Sequence, residues 1–113
     1  MRKQNIENAA HEVAVQVRAV EDSIEAALIE LAELQTRMVR ARATTKAGFV
    51  ATHAAFEQIA VTTGGLISAR GGIANCHAAL AETKRSIPGL RTVAIGDEEC
   101  PPKFAFADLR VVA

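Results

Sequence analysis

At 113 residues the chain has room for one domain and one core, and half of it is hydrophobic. About a fifth is Ala, against four Phe and no Trp or Tyr, which favours long, close-packed helices and argues against an aromatic platform for stacking bases or sugars. Thirteen basic and thirteen acidic side chains cancel, so the basic excess that phosphate neutralisation needs is missing and no nucleic-acid partner is expected.

The N-terminus does not read as an export signal. Met1-Arg2-Lys3 carries charge, but Gln4 to Glu12 is polar where an apolar stretch would have to follow. No apolar run approaches the ~18 residues that a spanning helix needs. A soluble, cytoplasmic protein without a transmembrane segment is therefore expected, with Cys76 and Cys100 as reduced, isolated thiols rather than a disulfide.

Periodicity is strongest in the first forty residues. Ile6, Ala10, Val13, Val17, Val20, Ile24, Ala27, Leu31, Leu34, Met38 and Ala41 recur at alternating spacings of four and three, a heptad seam. With no Gly before Gly48 and no Pro before Pro88, the pattern predicts a helix from about Gln4 to Ala43, roughly 60 Å long. Arg18, Asp22, Glu25 and Glu33 fall on a solvated flank. Val15, Leu28, Ile29 and Ala14 also lie off the seam, forming a second apolar strip. One partner helix covers one stripe, so a second strip calls for a second partner.

The pattern weakens between Arg42 and Thr52. Thr44 and Thr45 are poor in helix interiors, and Gly48 suits the left-handed conformation that ends helices, so the chain is expected to reverse there. A helix that runs on and turns at Thr62-Thr63-Gly64-Gly65 is the second reading, less favoured because it leaves two helices of very unequal length. Arg37, Arg40, Arg42 and Lys46 gather before this point, as cations do near the carbonyl end of a helix.

A second helix is predicted from about Val50 to Ile87, with Phe56, Ile59, Thr63, Leu66, Ile73, Leu80 and Ile87 spaced for one face. Gly64-Gly65, Gly71-Gly72 and Ala78-Ala79 recur every seven residues on it. Each helical Gly costs ~1 kcal/mol relative to Ala. The strip through Gly64 and Gly71 therefore reads either as a surface for close backbone approach or as breaks that would make three helices of two.

Pro88-Gly89 ends the helical region. Residues 89–113 read as a short extended tail of the same domain, and Phe104 and Phe106 are apolar enough to dock it on the hairpin or on a neighbour. The expected fold is all-α: a long antiparallel hairpin over residues 1–88 that assembles into a helical bundle as a homo-oligomer, a dimer or tetramer.

No group of residues specifies a reaction. Glu7 with His11 and His53 with Glu57 are four apart, but a bundle metal site needs four or more converging ligands. Cys76 and His77 are adjacent, so on a helix they diverge by about 100°. Cys76 groups with Ile73 and Leu80 as a small buried apolar residue. The Gly pairs lack the Gly-Lys-Ser/Thr ending of a phosphate loop. Neither catalysis, a cofactor nor a metal is expected.

The function that follows is a self-associating interaction or accessory protein, with an unidentified protein as a further partner. In it Val17, Val20, Ile24, Leu31 and Leu34 hold the hairpin, Leu28 and Ile29 meet a neighbour, Gly64 and Gly71 admit a close approach, and Phe104 and Phe106 anchor the tail. Two alternatives stay open. One is an amphipathic coat for a lipid or granule surface, which the modest Lys content disfavours. The other is a small-ligand-binding bundle or enzyme, lined by Phe49, Phe56, Cys76 and His77.

Overall fold

The structure, a computed structural model, describes residues 2–89. Two long helices, α1 (Arg2–Thr45) and α2 (Phe49–Arg85), form a hairpin. α2 runs unbroken through both Gly pairs, so the helices number two rather than three among the described residues. Ala-rich flanks and the absence of any Pro before Pro88 keep the backbone helical where four Gly weaken it.

The reversal occupies Lys46 to Gly48. Its left-handed residue is Lys46, at φ 57°, and not Gly48 as the sequence suggests. Gly48 instead starts α2: its carbonyl accepts from the Thr52 backbone N–H at 3.2 Å and from Thr52 Oγ1 at 3.1 Å. A Gly serves well at that flanking position because it needs no helical dihedrals. Thr45 stays helical by donating its hydroxyl to the Ala41 carbonyl at 2.8 Å. Across the turn the Arg42 guanidinium lies 5.2 Å from the centre of the Phe49 ring, a cation–π contact.

A Lys with positive φ carries steric strain between its Cβ and the neighbouring carbonyl, which Gly lacks. Lys46→Gly is therefore expected to stabilise the chain by about 0.5–1 kcal/mol, part of the relief being lost to the freer unfolded Gly. Urea unfolding would show it as a higher midpoint at constant slope.

The chain divides into two compact units. The unit Ala19–Ile73 contains the turn. Ile24, Leu28, Leu31 and Met38 of α1 and Phe56, Ile59, Leu66 and Ile73 of α2 are half-buried in it. Glu25 and Arg70 join the two helices as an ion pair. Both side chains are more than half exposed, so the pair is worth about 0.2–1 kcal/mol. Among the described residues, the other unit joins residues 2–18 to residues 74–89. Here Ala10, Val17 and Ala81 are buried, with Ile6 and Ala14 packed against Ala10. His77 and Lys84 are buried as well, at 6% and 7% exposure.

The α1 seam is offset from the expected one. Its first stripe holds, since Ala10 and Val17 are buried and Ile24, Leu31 and Met38 half-buried. The second stripe differs: Val13, Val20 and Leu34 are 44%, 37% and 46% exposed, while Ala14, Glu21, Leu28 and Arg42 are half-buried. Val20 and Leu34 are therefore less covered by the hairpin than the first stripe is. A single helix covers one stripe and one flank of it, and α1 is apolar on both flanks. Spacing alone could not say which flank is covered.

Candidate functional site

The covered face of α2 is the expected one from Phe56 to Leu80, while Ile87 lies beyond the helix and is exposed. Thr52, Phe56, Ile59, Thr63, Leu66, Ile73, His77, Leu80 and Lys84 form it, buried or half-buried, at alternating spacings of four and three interrupted only at the exposed Arg70. The flank through Ala55, Thr62, Ala69, Cys76 and Thr83 is exposed instead. Cys76, expected inside, is thus on the surface. His77, expected only as lining of a ligand cavity, and Lys84 are buried in this face because they continue the seven-residue register of Phe56, Thr63 and Arg70. That register was the available signal.

The remaining surface separates into distinct faces. On α1, Val13, Val20 and Leu34 form a partly exposed stripe beside the buried one, completed at seven-residue spacing by Ala27 and Ala41. Val15 and Ile29, 55% and 69% exposed, lie on the opposite side. Leu28 and Ala14, read from the sequence as part of their strip, are half-buried and belong to the hairpin.

On α2 all four helical glycines are exposed. A Cβ built on any of Gly64, Gly65, Gly71 or Gly72 meets nothing within 4 Å. From Gln58 to Ala81 the only charged residue apart from His77 is Arg70, which is held by Glu25. Exposed helix faces ordinarily carry Lys and Glu. This one carries Gly, Ala, Ser, Thr and Asn, with Val61 and Ile67 exposed among them.

Ion pairs of Lys3 with Glu7, Glu33 with Arg37, His53 with Glu57 and Glu82 with Arg85 each lie within one helix. Among the described residues no three His, Cys, Asp or Glu side chains come together as a metal would require. His11 and His53 are exposed. No described helix is long and apolar enough to cross a membrane. Phe104, Phe106 and Cys100 lie outside the described residues.

The arrangement is a thin hairpin with apolar and uncharged helix faces turned to solvent. No protein-family model matches the chain, and comparison with curated proteins and with solved structures finds no match.

Proposed function

We propose that the chain is a helical interaction module that assembles with copies of itself and, so assembled, serves as an accessory to another protein rather than as a catalyst. One observation carries this reading: the described residues bury too little. Their buried apolar set is Ala10, Val17 and Ala81, and no large side chain is fully buried. Against these stand eleven exposed large apolar residues, from Val13 to Ile87. Burying a Val, Leu or Ile completely contributes about 1.5–3 kcal/mol. Val13, Val20, Ile29, Leu34, Val39, Val61 and Ile67 each leave a third or more of that gain unused in the hairpin.

Assembly recovers part of it. A second helix laid along Val13, Val20 and Leu34 would complete the ordinary cross-section of a bundle, in which each helix packs against two neighbours. The uncharged α2 face supports the same reading. Its four glycines weaken the helix and receive no packing in return within the chain. A partner backbone lying close against them would supply that return.

Sedimentation equilibrium across a dilution series in the micromolar range tests the proposal. Molar mass is expected to exceed the 12.0 kDa of one chain and to fall toward it on dilution. A constant monomer mass, with Val13, Val20 and Leu34 protected from solvent labelling, would remove the basis of the reading.

A further inference from the structure

Taking self-association as given, we propose that two copies meet antiparallel along the second half of α1, about a two-fold axis beside Gln35. Leu34 sits at the contact, and Glu30 of each copy pairs with Arg40 of the other.

Charge along α1 is ordered in blocks. Between Glu21 and Glu33 the chain holds five carboxylates and no Lys or Arg; between Arg37 and Lys46 it holds four cations and no carboxylate. The helix dipole accounts for little of this, since its effect fades beyond the last turn, whose only basic residue is Arg42. α2 answers the acidic block at Glu25, through Arg70, and within α1 Glu33 is paired with Arg37.

Glu30 and Arg40 are exposed and make no ion pair with any described residue. Two copies side by side in parallel would set acid against acid and base against base. Reversing one copy about Gln35 sets each acidic block against a basic one. An isologous contact of this kind closes on itself and stops at two.

The face is suitably shaped. At 100° per residue, Leu34, Glu30, Arg37, Glu33 and Arg40 fall within a sector of about 120°. Leu34 is 46% exposed and stands out between Ala27 and Ala41, one heptad away on either side. Those small residues let a second backbone come close. Nearest the axis, the Glu33–Arg37 pair at 3.0 Å meets its own reversed copy, so that four charges alternate in sign. Electrostatic matching of this type selects the register of a contact more than it adds affinity.

The test uses the full chain with Glu30→Arg and Arg40→Glu, singly, together, and as an equimolar mixture of the two single variants. Each single variant places like charges against each other twice, and its dissociation constant is expected to rise on the order of tenfold. The double variant restores both pairs and is expected to associate like the parent chain. Mixing the singles is expected to regain association through a heterodimer, which also shows that each is folded. Parent-like association of every variant, or a mixture as weak as its components, would overturn this interface while leaving self-association standing. A parent chain that stays monomeric would instead overturn the function proposed above.

Discussion

Replacing Gly64, Gly65, Gly71 and Gly72 together with Ala is expected to raise the thermal midpoint of the dilute chain by on the order of 10 °C or more. All four are helical and exposed, and a Cβ at each enters open space. The substitution therefore removes backbone freedom from the unfolded chain and adds no clash to the folded one. At about 0.5–1 kcal/mol per site the four sum to roughly 2–4 kcal/mol. Scanning calorimetry at a concentration where the chain is monomeric checks it. An unchanged or lower midpoint would mean that these positions already press against something. The same variant at higher concentration reads the face directly, because four methyl groups would hold off any helix that packs there.

Val17→Asp is expected to have the opposite sign and a comparable size, destabilising the chain by about 3–5 kcal/mol. Val17 is 8% exposed, so the change forfeits its burial and places an unpaired carboxylate in a poorly hydrated position. Val15→Asp is the control. It lies two residues away on the same helix at 55% exposure, and its effect should stay within about 0.5 kcal/mol. Urea midpoints of the two variants decide the matter. If they were alike, the burial pattern of the first eighteen residues would be wrong.

The contrast between Val15 and Val17 marks how far the sequence could be read. α1 followed from spacing, because a strict four–three pattern without Gly or Pro leaves few alternatives; the reversal was read from Thr44, Thr45 and Gly48, and whether the Gly pairs broke α2 stayed open. The covered face of α2 from Phe56 to Leu80 also followed from spacing. The flank of α1 that meets α2 was not legible, since Val13 and Ala14 are both acceptable in a core and differ only in the tilt of the partner. Lys84 was read past for a different reason. Composition places Lys outside, but its long apolar stem can lie in a seam with its charge at the edge. Lys46 was missed because residue identity favours Gly for a left-handed turn, and Gly48 stood two positions away. The helix end decided which residue had to bend. Of the candidate surface, the Gly spacing was visible from the start. That its backbone lies bare became evident only from the space around it.

The brevity of the reversal has a kinetic consequence. Three residues separate the last turn of α1 from the first of α2, so the earliest contacts between the helices close a very small loop. Each later contact extends an existing one rather than starting afresh. Glu25 and Arg70, 45 residues apart in the chain, can meet for little more entropy than their neighbours nearer the turn have already spent. Folding should therefore proceed like a zipper, fast for a chain of this length.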